Sequence, residues 1–258
     1  MRKIHIEIQG EGPDLVLLHG WGMHSGIWGC IRSKLAEHFR LHLVDLPGHG
    51  ASPSLWIQGS DPLKNMTEMI GENLPEHSII CGWSLGGQIA MKLSLDVSEK
   101  VDKLILVSTT PSFIQRKDWT WAMEKNISEL FMRNFDLDYV STLNRFHTLQ
   151  VQGDINTIIL LRKLRRFVSK QNKLDRDGLR AGLEIIFTAD LRENVKNISH
   201  PVVLLHGKND VIVPLEASKW LCNNLGNSKL IILSDCGHLP FLSHTDQFLS
   251  SIFEAAGI

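Results

Sequence analysis

The stretch that most constrains this chain is Cys81-Gly82-Trp83-Ser84-Leu85-Gly86-Gly87. Ser78, Ile79 and Ile80 lead into it, and Gln88-Ile89-Ala90-Met91-Lys92-Leu93 lead away at helical spacing, so it reads as strand, sharp turn and helix. A turn that tight drives its central residue into a strained backbone region. It also demands small neighbours where strand and helix nearly touch, and Gly82 and Gly86 meet that demand. The Ser84 hydroxyl is thereby lifted clear of the sheet. The first amide of the following helix, that of Leu85, points at any negative oxygen formed beside it.

Strands and helices alternate on either side of this turn. Ile4-His5-Ile6-Glu7-Ile8 alternates as an edge strand should, Leu15-Val16-Leu17-Leu18 is a continuous apolar run suited to a strand covered on both faces, and Leu41-His42-Leu43-Val44-Asp45 is a third strand. A helix is expected over Lys64 to Asn73 and a further strand over Val101 to Ser108. That alternation predicts an α/β fold: a mostly parallel sheet with helices on both faces. From Ser112 to about Gly182 no strand-like run occurs, and Trp119, Trp121, Phe131, Phe135, Tyr139, Phe146 and Phe167 are scattered among helical periodicities. The sheet resumes with Pro201-Val202-Val203-Leu204-Leu205-His206 and ends with Lys229-Leu230-Ile231-Ile232-Leu233. The expected organisation is a core over residues 1–111 and 183–258, interrupted by a helical cap over residues 112–182.

Two loops supply what the serine turn lacks. Asp210 follows the strand ending at His206, and His238 follows the last strand in Ser234-Asp235-Cys236-Gly237-His238, which brings both to the carboxyl edge of a parallel sheet where sites are built. The order Ser84, Asp210, His238 is that of the α/β-hydrolase triad. A serine hydroxyl is a weak nucleophile at neutral pH and needs a histidine base, itself oriented by a carboxylate. Asp235 is a rival acid, yet its nearness to His238 in sequence leaves it little freedom to reach the far ring nitrogen. His49, in Pro47-Gly48-His49-Gly50, is read as structural because it precedes the nucleophile. His19-Gly20-Trp21-Gly22, at the end of the second strand, places the Trp21 N–H opposite that of Leu85 as the second oxyanion donor.

Composition removes other classes. The 258 residues are 43% hydrophobic with a formal net charge of −1, so no global field draws nucleic acid or an anionic membrane. No run is long enough to span a bilayer, and the Met1-Arg2-Lys3-Ile4-His5 start has no apolar leader, which points to the cytoplasm. Cys30, Cys81, Cys222 and Cys236 lack C-x-x-C spacing, so neither a metal nor a redox pair is expected, and the scheme calls for no cofactor. The charge is nonetheless uneven. The cap carries 13 Lys or Arg against 8 Asp or Glu. Over Ile158 to Lys173 a stripe of Ile158, Leu161, Leu164 and Val168 is expected to pack inward, with Arg162, Lys163, Arg166, Lys170 and Lys173 off it. Such a face is either solvated or a dock for an acidic partner.

Leu17-Leu18-His19-Gly20-Trp21-Gly22, His42-Leu43-Val44-Asp45-Leu46-Pro47-Gly48, Gly82-Trp83-Ser84-Leu85-Gly86-Gly87, Arg145-Phe146-His147-Thr148-Leu149-Gln150 and Gly182-Leu183-Glu184-Ile185 with Asp190-Leu191-Arg192 resemble the pimeloyl-[acyl-carrier protein] methyl ester esterase family of biotin synthesis, nearly end to end. The resemblance implies a monomeric serine carboxylesterase with the α/β-hydrolase fold that frees methanol from a methyl ester borne by an acyl-carrier protein. It implies a substrate wall made of Phe146, His147, Thr148, Leu149 and Gln150 facing Trp21, Ser84, Leu85 and His238. It also implies a carrier dock at Arg145 and Arg162, to which the basic helix adds Arg166; where the family has another arginine, this chain has Ile158. A broad short-chain esterase, a thioesterase or a C–C bond hydrolase would use the same triad, and a ligand receptor that keeps the triad for sensing is the alternative of another class.

Overall fold

Seven strands form one sheet in the order β1-β3-β2-β4-β5-β6-β7: β1 (Ile6–Gln9), β2 (Asp14–Leu18), β3 (Arg40–Val44), β4 (Ser78–Trp83), β5 (Val101–Val107), β6 (Val202–Gly207) and β7 (Ser228–Leu233). This is a computed structural model, and it describes residues 3–54, 59–168 and 175–258. Met1, Arg2, Lys170 and Lys173, on which part of the sequence reading rests, lie outside the described residues. β1 joins β3 antiparallel at the edge, and every other pairing is parallel. The apolar runs read as doubly covered strands are that. In β2, Val16 and Leu18 face one buried cluster and Leu15 and Leu17 face the other.

The helices follow in chain order. α1 (Arg32–Leu35) and α2 (Pro62–Gly71) precede the serine turn, α3 (Leu85–Asp96) leaves it, and α4 (Lys125–Leu137), α5 (Tyr139–Gln150), α6 (Thr157–Val168) and α7 (Arg176–Thr188) all lie between β5 and β6. α8 (Leu215–Asn224), α9 (Pro240–Ser243) and α10 (Thr245–Ala256) complete the chain. α2 begins two residues before the position expected from periodicity. The Asp61 carboxylate accepts from the N–H groups of Leu63 and Lys64, and Pro62, whose ring presets the helical φ, takes the first position.

Two details of the helices between β5 and β6 differ from the sequence reading. α7 runs through residue 182, because Asp175 caps its start at the N–H groups of Asp177 and Gly178 and Leu179, Leu183 and Ile186 then share one buried face. In α6 the buried positions are Leu160 and Leu164, while Ile158 is 70% exposed. Four apolar residues in a row, Ile158 to Leu161, leave the phase of the stripe undecided by sequence. The tertiary neighbours decide it, since Leu160 and Leu164 join the cluster that holds Trp28 and Phe241.

Candidate active site

The turn at Ser84 is as strained as its sequence requires. Ser84 sits at φ 56° and ψ −117°, a conformation that costs on the order of 1–3 kcal/mol and persists only where its surroundings hold it. The Ser84 N–H donates to Val107 O at 2.9 Å, the Ser84 carbonyl accepts from Gly87 N–H at 2.9 Å, and the Thr109 hydroxyl adds a third bond to that carbonyl at 2.7 Å. A Cβ on Gly82 would stand 2.3 Å from Gly86 O, and one on Gly86 would stand 2.3 Å from Leu18 O. Strand and helix therefore touch backbone to backbone. Leu85 opens α3, so its N–H has no acceptor within the helix.

Asp210 and His238 meet at the same edge. His238 Nδ1 donates to Asp210 Oδ2 at 2.7 Å, while Asp210 Oδ1 accepts from the N–H groups of Ile212 and Val213 at 2.9 and 3.0 Å. Burial pushes the Asp210 carboxyl up; attraction to the His238 imidazole and its hydrogen bond outweigh it, helped by the Val213 amide, and hold the group below the usual carboxylate range. With Nδ1 carrying its proton to Asp210, Nε2 of His238 is left as an acceptor. It is buried and makes no hydrogen bond among the described residues. Trp83 fixes the loop: its indole N–H donates to His238 O at 2.9 Å, with the two rings 5.5 Å apart. Asp235 is exposed, and the carboxylate on His238 is that of Asp210. His49 is buried with Nδ1 on Pro47 O, away from this set.

His206, one turn of chain before Asp210, did not stand out in the sequence. Its Nε2–H donates to Val213 O at 2.9 Å and its Nδ1 accepts from Ser218 at 2.6 Å, which leaves the ring 3.7 Å from Asp210 Oδ2. Burial depresses its pKa, so it stands under Asp210 as a neutral prop. A histidine inside the apolar run Leu204-Leu205-His206 was the available signal.

Above Ser84 lies an apolar chamber whose walls include Trp21, Phe113, Phe131, Phe146 and Phe187. Trp21 is held by its indole N–H on Leu179 O at 2.7 Å and packs edge-on against Phe131 and Phe146. The predicted wall on α5 divides by helical phase. Phe146 lines the chamber, and His147 and Gln150 are buried on the same face. Thr148 bonds back to Asn144 O and Leu149 is 38% exposed, so neither forms part of that wall. Nε2 of His147 and both side-chain polar atoms of Gln150 make no hydrogen bond among the described residues. Burial pushes the His147 pKa down to about 4. Phe113, Met123, Leu183, Ile186, Phe187 and Ile212 complete the chamber; Leu183 falls within a motif quoted above, and no local motif marked the others because distant segments contribute them.

Arg145 and Arg162 are exposed on α5 and α6, as is Arg166. Among the described residues, one group of metal-ligating side chains converges: Asp154, Cys236 and His244, with ligand atoms within 4.8 Å of one another. Each is already engaged, Asp154 with Gly237 N–H, Cys236 with Ser243 and His244 with Ser243. Burial pushes the Cys236 thiol up to about 12, and the cluster ties the loop after α5 to the loop that carries His238. Among the described residues no helix is long and apolar enough to cross a membrane.

Residues 13–245 match the alpha/beta hydrolase fold family. A protein of Nitrosomonas europaea named pimeloyl-[acyl-carrier protein] methyl ester esterase is 48% identical over 250 residues, covering 97% of this chain and 98% of that protein. One of Nitrosospira multiformis with the same name is 45% identical, covering 98% of each. Among solved structures, an esterase from Exiguobacterium antarcticum superposes with a TM-score of 0.87 at 24% identity, over 97% of this chain and 94% of that one.

Proposed function

From the premise that this chain belongs to the alpha/beta hydrolase fold family and, within it, to the pimeloyl-[acyl-carrier protein] methyl ester esterases, we infer that it hydrolyses the methyl ester of pimeloyl-[acyl-carrier protein] to methanol and the free carboxylate in biotin synthesis. The observation that carries the chemistry is the buried His238, with one ring nitrogen on Asp210 and the other unbonded, tied through the Trp83 indole to the residue that precedes a serine held at positive φ. Ser84 attacks the ester carbonyl, and His238 Nε2 takes its proton and returns it to the departing methoxide. Asp210 fixes the ring tautomer and stabilises the imidazolium. The N–H groups of Trp21 and Leu85 receive the oxyanion, and loss of one such donor costs about 100- to 1000-fold in rate. Water then releases the acyl group by the same steps.

Phe146 and the Trp21 ring give the acyl chain an apolar wall. The two polar atoms of Gln150 that make no hydrogen bond among the described residues offer one to an ester or thioester oxygen of the substrate, which offsets part of the roughly 1–3 kcal/mol that a buried orphan costs. The segment between β5 and β6 acts as the cap. Its basic residues Arg145, Arg162 and Arg166 receive the acidic carrier, and the protein works as a cytoplasmic monomer. Exposing pimeloyl-carrier methyl ester to the protein and weighing the product tests this reading. Loss of one CH2 with the thioester intact, absent with Ser84→Ala, is the expected result. Release of the whole acyl chain would make it a thioesterase, and no change would overturn the substrate.

A further inference from the structure

The chamber over Ser84 has a cavity volume of about 20 Å³, room for one water molecule. On the other side of one side chain lies a groove of about 350 Å³, open to solvent and lined by Ile114, Gln115, Arg116, Lys125, Ser128, Glu129 and Met132. Phe187 lines both. The partition is thin along its length: Phe113 belongs to the chamber and Ile114 to the groove, Phe131 to the chamber and Met132 to the groove. Phe187 is only half-buried, and its one ring partner among the described residues is Phe131, edge-on at 6.1 Å. Turning it aside gives up that ring contact and part of its packing on the core cluster, while its exposed side is already free of protein neighbours.

We propose that Phe187 is a specificity-determining residue that ends the acyl chamber, and that the groove beyond it is a second subsite which takes the tail of an untethered straight-chain acyl ester. Turning Phe187 aside joins the two spaces into one channel running from the Ser84 hydroxyl past Phe113 and Phe131 to the mouth at Gln115 and Lys125. The inner length is apolar and suits methylene groups. The outer length carries the amide of Gln115, the hydroxyl of Ser128 and charges of both signs from Arg116, Lys125 and Glu129, and suits a polar or wet chain end. Phe187 thereby sets the chain length at which such esters stop fitting. This rests on ester hydrolysis at Ser84.

The test compares kcat/KM for methyl butanoate, heptanoate and decanoate in the parent protein, Phe187→Ala, Phe187→Trp and Gln115→Trp. Phe187→Ala is expected to raise the decanoate-to-butanoate ratio about tenfold or more, the scale set by one or two methylenes gained in an apolar site. Phe187→Trp is expected to lower the same ratio, and so is Gln115→Trp, which fills the groove from outside at a residue that does not itself line the chamber. An unchanged ratio in the two Phe187 variants overturns the proposal, as does a Gln115→Trp ratio equal to the parent's. Absence of hydrolysis of all three esters by the parent overturns the activity on free esters. If carrier-bound substrate is still cleaved, the methyl ester esterase reading survives that failure.

Discussion

At the residue scale, the question is which carboxylate serves His238, and geometry and linkage give a sharp expectation. Asp210→Asn keeps the shape of the site but leaves Nδ1 facing a donor, so the ring takes the wrong tautomer. Turnover of a simple methyl ester is expected to fall about 10,000-fold with little change in KM, while Asp235→Asn stays close to the parent. Comparable losses in both variants would return the choice to Asp235. Ser84→Ala is expected to lose on the order of a million-fold. The residue types and order of this set were legible in sequence, because a strained serine turn must be written with glycines and because sheet edges follow from strand ends. His206 and Phe187 were not. One is a buried prop recognisable only from Ser218, Val213 and Asp210 around it, and the other matters only because two empty spaces meet at it.

At the scale of elements, α7 is pressed onto the Leu46-Pro47-Gly48 turn so closely that a Cβ on Gly178 would stand 2.3 Å from Gly48 Cα, with Gly48 itself at φ 75°. Gly178→Ala must part the two backbones, at about 1–3 kcal/mol, and is expected to lower Tm by roughly 2–10 °C in a thermal melt. A Tm within a degree of the parent would mean that this contact yields freely. α6 presents its basic face outward, with Leu160 and Leu164 turned in. Reversing charge at Arg162 and Arg166 is therefore expected to raise KM for the carrier-bound ester, more so at low salt, and to spare methyl butanoate. Equal effects on both substrates would point to damage inside the site. Periodicity located α6 but not its phase, since the run Ile158 to Leu161 offers apolar residues to every direction.

At the scale of the whole molecule, several histidines are buried and neutral. Burial pushes His147 down to about 4, and burial followed by the charge of His49 pushes His19 down to about 3; burial lowers His49 and His206 as well. In the unfolded chain these rings titrate near 6.5, so below that pH the unfolded state binds more protons than the folded one. Stability is thus fully present above about pH 6.5 and is lost as pH falls toward the folded values, by roughly 3 kcal/mol for His147 alone. Tm is expected to be level above neutrality and to begin falling below about pH 6.5, before the carboxylates titrate. Asp210, held below its ordinary range, adds its loss only at still lower pH. A Tm that stays level down to pH 5 would show that these rings take up protons without opening the fold. By itself the sequence determined the layered α/β order, the serine turn and the chain positions of Ser84, Asp210 and His238, because strand periodicity and glycine-dependent turns are local properties. Only the tertiary structure decided which face of α5 and α6 turns inward, what lies under Asp210, and which residues wall the apolar chamber over Ser84. Each of those is settled by side chains from distant segments packing against one another, and no single stretch of chain contains them.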